Sequence, residues 1–384
     1  MTHFLLDVTR LAKRFHDGLM PTGVDRVGLA YIEHYGARAR AVLSEQGFSA
    51  LLSERNSQRI FEMLRSSSDR NKLALRSIIA QTLALPHRAN WAAPAVLLHT
   101  SHNGMEFKRY YRWMARRNTR TVFMVHDLIP LTHSEYCRPG VDASHRLRIR
   151  TALSHANALI ANSQDTHDEL AAEAERAQVP LPPTVVARLA PAPLQRKPYP
   201  APLDGPYFVM LGTIEPRKNH WFMLHVWRRL VEQHGDAAPR LVVIGRRGWE
   251  CENVVDMLER CAPLRGFIVE ESNCSDERLQ ALLQHARALL FPSFVEGYGL
   301  PLVEALMLGT PVVASDLGIF HEVAAEIPDY LDPLDGPGWM AKILSYATTG
   351  SAERTAQVER IGTFRTPTWR EHFASVDAFV DTLR

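Results

Sequence analysis

Through the second half of the chain, short unbroken apolar runs alternate with stretches whose apolar residues return every three or four positions. YFVML from Tyr207 precedes a helical pattern spanning about His220 to His234, LVVIG from Leu241 precedes one around Cys251 to Cys261, and GFIVE from Gly266 precedes SDERLQALLQHA. The series continues through ALLF from Ala288, a helical pattern near Leu300 to Leu308, PVVAS from Pro311, another around Ile319 to Glu326, and a last segment near Tyr330. Apolar runs without alternation read as strands covered on both faces, and strands separated by helices need crossover connections. The predicted domain is therefore α/β, a doubly wound, Rossmann-like parallel sheet.

Upstream, FLLDV, AVLLHT from Ala95, TVFMVHDL from Thr121 and ALIANS from Ala158 predict the strands of a second, less regular α/β domain. Ser44 to His87 reads as mostly helical and Ser-rich, with no assigned role. From Arg188 to Tyr207 the chain carries six prolines, which neither a helix nor an interior strand accommodates, so this is the predicted linker. The predicted organisation is an N-terminal domain over 1–203, a C-terminal domain over 204–365, and a final amphipathic segment over 366–384 that crosses back to the N-terminal domain.

With 384 residues, 46% of them hydrophobic and 22% charged, the chain has enough material for two globular cores. No apolar stretch approaches the roughly 20 residues needed to span a bilayer, and the start, with Asp7 inside its apolar run, does not predict a secretory signal. The scattered Cys137, Cys251, Cys261 and Cys274 suggest neither a zinc site nor a disulfide framework, consistent with a reduced, cytoplasmic protein. Net charge is only +2, yet residues 1–203 hold 27 Lys and Arg against 17 Asp and Glu, and the remainder 17 against 25. That asymmetry points either to an anionic partner of the first half, a lipid surface or a phosphorylated acceptor, or to attraction between two oppositely charged domains.

Chemistry concentrates in two stretches. In FVMLGTIEPRKNH an apolar strand ends, the chain turns through Gly212 and Thr213, and Arg217 and Lys218 arrive just before a helix. Ligands of parallel sheets lie beyond the carboxyl ends of the strands, and an Arg fork beside a Lys point charge suits two linked phosphates. In FPSFVEGYGLPLVEALMLGTPVVAS, Glu296 precedes Gly297, Tyr298, Gly299 and Leu300, and the following helix holds Glu304. Glycines at a helix start let backbone N–H groups approach a phosphate. Eight positions separate the carboxylates, about 12 Å at helical rise, enough for one to meet a sugar and the other a ribose.

GTIEPRKN and EGYGLPLVEAL closely resemble the signature of the retaining glycosyltransferases of family 4, over most of residues 204–335. The first half carries fainter echoes in PTGVDRV, Pro21 to Val27, and VHDLIP, Val125 to Pro130. The resemblance implies the GT-B fold, two Rossmann-like domains facing across a cleft, the first binding acceptor and the second nucleotide sugar. It implies a catalytic set of His126, Arg217, Lys218 and Glu296, with Arg217 and Lys218 on the departing diphosphate, Glu296 on the donor sugar and His126 beside it. It implies donor contacts at Gly23, Gly212, Thr213, Cys274, Gly297, Tyr298, Gly299, Leu300 and Glu304. EESNCS, Glu270 to Ser275, departs from the shorter glycine-containing turn of relatives, which leaves the identity of the base open.

No Asp-x-Asp motif is present, so Arg217 and Lys218 take the place of a metal, and neither metal nor cofactor is expected. The predicted activity is transfer of a hexose, with GDP-mannose the favoured donor, to a glycan or lipid-linked saccharide of a bacterial surface polysaccharide such as lipopolysaccharide. A nucleotide-sugar epimerase is the alternative. A nicotinamide enzyme would require the absent Gly-x-Gly-x-x-Gly, and RNA binding would leave the carboxylates and glycines of the second half unexplained, so no nucleic acid is expected. FKRYYRWMARRNTR interleaves Lys108, Arg109, Arg112, Arg116, Arg117 and Arg120 with aromatic residues, and reads as either a solvated helix or a peripheral contact to the inner face of a membrane.

Overall fold

The computed structural model describes residues 3–66, 72–84, 94–192 and 197–383. Parts of the segment Ser44 to His87 and of the Pro-rich linker lie outside the described residues. The chain divides into two compact units, Met1–Leu131 with Gly140–Leu189 and Thr368–Arg384, and Thr132–Pro139 with Ala190–Pro367.

The first unit runs β1 (His3–Asp7), α1 (Thr9–Asp17), α2 (Gly23–Tyr35), β2 (Ala39–Glu45), β3 (Phe48–Leu51), α3 (Glu54–Arg65), α4 (Lys72–Ala84), β4 (Ala95–His99), α5 (Lys108–Ala115), β5 (Thr119–Val125), α6 (Ile129–Thr132), α7 (Val141–His155), β6 (Ala158–Ala161), α8 (Gln164–Arg176) and β7 (Thr184–Val186). Its sheet has the order β3-β2-β1-β4-β5-β6-β7, parallel except for the β2–β3 hairpin. Sequence pattern alone predicts neither the hairpin nor β7. FSAL is a short, partly exposed edge strand, and TVV sits half-buried behind prolines, so neither shows the fully apolar run that marks interior strands.

The second unit runs β8 (Tyr207–Leu211), α9 (His220–His234), β9 (Arg240–Ile244), α10 (Glu252–Arg260), β10 (Ile268–Glu271), α11 (Asp276–His285), β11 (Leu289–Phe291), α12 (Leu300–Met307), β12 (Val312–Ser315), α13 (Gly318–Ala324), β13 (Asp329–Leu331), α14 (Gly336–Ala347) and α15 (Ala352–Ile361). Its all-parallel sheet, ordered β10-β9-β8-β11-β12-β13, buries Phe208, Met210, Val243 and Leu290 against Trp227, Trp339 and Tyr346 from the helices. Both units are doubly wound α/β structures.

The last helix, α16 (Trp369–Asp381), belongs to the first unit. Thr368 and Glu371 form a capping box at its start, and Phe373, Val376 and Val380 are buried. His372 ties it down: Nδ1 donates to the Arg188 carbonyl at 3.0 Å, which leaves Nε2 to accept from the Tyr31 hydroxyl at 2.9 Å. Burial pulls the His372 ring down to about 4, so it stays neutral.

On α5, Tyr110, Tyr111 and Met114 turn inward and are buried. Of the apolar residues that suggested an interfacial helix, these three are core residues of the first unit, and Phe107 and Trp113 pack half-buried against the same core. What the helix shows to solvent is Lys108 and Arg112, with Arg116 and Arg120 just beyond its end.

Candidate functional site

Strand order locates the site of the second unit. The chain leaves β8 toward β9 and later returns to β8's other side as β11, so the crevice beyond the carboxyl ends of β8 and β11 is the topological switch point. The segment after β8 is Gly212 to His220 and the segment after β11 is Pro292 to Gly299. Both predicted motifs therefore meet in one place.

Two glycines make the first turn. Gly212 has φ +144°, and a Cβ there would lie 3.3 Å from Lys218 Cε, so its bareness makes room for the lysine. A Cβ on Gly245 would lie 1.9 Å from the Gly212 carbonyl oxygen, so the loops after β8 and β9 can approach only over glycine. Pro216–Lys218 then forms one 3-10 turn, and Asn219, left-handed at φ 60°, turns the chain into α9 while its Nδ2 donates to the Pro333 carbonyl at 2.9 Å.

Lys218 and Arg217 converge on Glu296. Lys218 Nζ bonds Glu296 Oε1, Arg217 Nη1 bonds Oε2 at 2.8 Å, and Ser293 Oγ donates to Oε1 at 2.7 Å. Burial alone would push the Glu296 carboxyl up, but Arg217 and Lys218 with these hydrogen bonds hold it at about 2. Burial pulls the Lys218 ammonium below its usual value, opposed by Glu296. The Phe291 ring also faces Lys218, its centroid 4.9 Å from Nζ.

Glu215, to which sequence pattern assigns no role, completes the group by bonding Arg217 Nε at 2.6 Å. It is buried, and that burial raises its pKa against the pull of Arg217 and Lys218. Its position two residues before Arg217, across a proline-led turn, was the available signal. Ser293 and Phe291 left none, because they reach the site only through the sheet. Two cations and two carboxylates thus form a largely buried cluster in which the charges balance.

Gly299, at φ +97°, is the N-cap of α12, and a Cβ there would meet the Phe320 ring at 2.9 Å. Leu300 is the first residue of that helix, Tyr298 is buried beneath the turn, and Gly297 and Thr213 are half-buried in their loops. Only Leu300–Met307 is helical, so the helical spacing applied to Glu296 and Glu304 does not hold: Glu296 lies in the loop and Glu304 is buried within α12. Cys274 follows β10, at the far edge of the sheet, where burial pushes its thiol up to about 12. The EESNCS turn is itself clamped, Glu270 by Arg247 at 2.8 Å and Glu271 by Arg278 at 2.7 Å. His220, the first residue of α9, is buried with neither ring nitrogen bonded among the described residues, and its burial beside Lys218 brings it to about 3.

In the first unit, His126 follows β5 and is buried. Its Nε2 donates to the Thr100 carbonyl at 2.9 Å, and its backbone N–H donates to His102 Nε2 at 3.1 Å. Burial lowers its pKa, so the imidazole is neutral. Asp127 caps the short helix α6, accepting from the Ile129 N–H at 3.2 Å, rather than bonding the ring. Gly23 opens α2, just after its N-cap Thr22, in a capping box closed by Asp25.

Residues 192–327 match the glycosyl transferases group 1 family. The chain is 30% identical over 220 residues to the serotype-specific mannosyltransferase WbdA of Escherichia coli, covering 53% of this chain and 27% of that protein. It is 36% identical over 138 residues to the O-antigen chain mannosyltransferase B of Escherichia coli, 36% of each chain. The chain thus spans about a quarter to a third of the length of these relatives. Among solved structures, HepE of Anabaena in complex with UDP superposes with a TM-score of 0.67 at 15% identity, covering all of both chains. Sucrose-phosphate synthase of Thermosynechococcus elongatus gives 0.68 at 14% identity, covering 100% of this chain and 99% of that one. Residues 192–327 therefore carry a glycosyl transferases group 1 domain, within a chain that has the two Rossmann-like domains of the GT-B fold.

Proposed function

We propose that this protein is a retaining, metal-independent glycosyltransferase that moves mannose from GDP-mannose to a hydroxyl of a glycan or lipid-linked saccharide in bacterial surface polysaccharide synthesis. The observation that carries this reading is the junction of Arg217, Lys218 and Glu296 at the switch point of the second unit. As the glycosidic bond breaks, negative charge grows on the diphosphate, and fixed cations there lower the barrier without reorganisation. Glu296, already oriented by Ser293, passes from those cations to the sugar hydroxyls when phosphate takes its place. The acceptor attacks from the side the diphosphate leaves, and a phosphate oxygen takes its proton, so no side chain needs to be a strong base. His126, held neutral, is the group this reading assigns to the sugar, Gly23 to phosphate, and Glu304 to the ribose. Support for mannose comes from the names of the relatives.

The test is a melting screen with GDP, UDP, ADP and dTDP, followed by transfer assays with the matching sugar nucleotides. A product bound at 100 times its Kd stabilises by about 2.7 kcal/mol, readily seen as a rise in Tm. GDP alone should give it; a rise with UDP instead moves the donor, and no rise with any of the four removes the reading. The product's anomeric configuration, read by NMR, tests retention.

Among the described residues no helix is long and apolar enough to cross a membrane. Cytoplasmic location, with peripheral contact to an anionic inner membrane face through Lys108, Arg109, Arg112, Arg116, Arg117 and Arg120, is part of the proposal. With Tyr110, Tyr111 and Met114 buried, that contact would rest on charge, and should weaken steeply with salt in liposome flotation.

A further inference from the structure

The first unit has a switch point of its own. β1 lies between β2, which is next in the chain, and β4, which returns to its other side. Beyond these carboxyl ends lie the start of α1 with Arg10, the start of α2 with Gly23, Thr100 after β4, and His126 after β5. Contacts join them: His126 Nε2 bonds the Thr100 carbonyl, and a Cβ on Gly28 of α2 would lie 3.3 Å from Thr100 Oγ1. Arg10 and Asp25 both act electrostatically on the His126 ring.

Charge is arranged here as it is in the second unit, one buried carboxylate gripping two cations. Asp25, 1% exposed, accepts from Arg10 Nε on Oδ1 at 2.8 Å and forms an ion pair with Arg14, whose Nε lies 2.6 Å from Oδ2 without hydrogen-bond geometry. Its Oδ2 also accepts from the Thr22 N–H and hydroxyl, each at 2.7 Å. Arg10 places Nη2 3.4 Å from Thr22 Oγ1, keeps 31% side-chain exposure, and has no partner for Nη1 among the described residues. Its fork is thus oriented from behind by Asp25 and stands beside the positive end of the 13-residue α2.

We propose that Arg10 is a further phosphate-binding residue of this protein, donating from its outer nitrogens to an oxygen of either the donor's diphosphate or a phosphate on the acceptor. The inference rests on the glycosyltransferase reading, and adds to it a side-chain anion contact in the first unit.

Calorimetric titration of R10Q, R10K and K218A with GDP and with an alkyl pyrophosphoryl mannoside separates the two sources. Loss of one charge-assisted contact should weaken binding about tenfold in R10Q, with R10K between it and the wild type, because lysine keeps the charge but not the fork. Weaker GDP binding assigns Arg10 to the donor; unchanged GDP with a weakened mannoside assigns it to the acceptor. If R10Q and R10K bind both probes like the wild type while K218A loses GDP, the Arg10 assignment is overturned and the glycosyltransferase reading stands. If the wild type itself binds neither probe, both fall. R10K retains the pair with Asp25, so the comparison survives even if R10Q folds poorly.

Discussion

Lys218 is an ammonium with almost no access to water, and what keeps it charged there is the Glu296 carboxylate and the Phe291 ring. Its proposed role and its stability thus draw on one set of contacts. Lys218→Ala should lower transfer by at least about 100-fold, the scale of losing a preorganised charge-stabilising group, as measured by turnover of sugar nucleotide at saturating acceptor. Glu296 gives a prediction in pH. Its carboxyl is held at about 2 against a usual 4.5, so the stability it contributes is present in full above 4.5 and is lost as pH falls through 2. Glu296→Gln cannot titrate, so the stability gap between wild type and variant in urea melts should be constant above pH 4.5 and close progressively toward pH 2. A gap that does not narrow between pH 4.5 and 2.5 would show that Glu296 is not held by its cations as the geometry indicates. His126, bonded through Nε2 to a carbonyl and buried, should titrate below the ordinary histidine value, as NMR of its ring protons across a pH series would show.

At the scale of elements, the site depends on how closely two loops can pass. The turns after β8 and β9 touch at Gly212 and Gly245, and the space between them admits no side chain. Gly245→Ala should cost about 3 kcal/mol or more in urea unfolding, because a methyl group at 1.9 Å from a carbonyl oxygen forces backbone apart rather than bending a side chain. Nucleoside diphosphate binding should fall with it, since the neighbouring Gly212 loop that would be pushed away carries Lys218. The sequence showed a glycine at each strand end but not that the two face each other, which is a property of strand order. The same limit explains the misread interval between Glu296 and Glu304. Gly299 at positive φ breaks the chain before α12 begins, so a helical rise could not be carried back across it.

Across the whole molecule, the last residues of the chain complete the first unit. Phe373 on α16 is buried against Tyr31, with ring centroids 5.1 Å apart, and stacks on His34 at 4.0 Å. Phe373→Ala should cost about 3–5 kcal/mol, and ending the chain at Pro367 should destabilise the first unit more than the second, which proteolysis with mass spectrometry would show. Apolar periodicity alone made most of the second unit legible, since the interior strands are covered on both faces and carry polar residues only at their ends, as at Arg240 and Ser315. It located Arg217, Lys218 and Glu296 for a related reason: charge directly after an apolar strand has few structural roles. Hidden from it were Glu215, Ser293 and Phe291 around the lysine, the pairing of Asp25 with Arg10 and Arg14, and the β2–β3 hairpin. Each of these depends on which strand lies beside which, and strand order is set by packing over the whole sheet, where contacts join residues tens of positions apart and no local pattern records the partner.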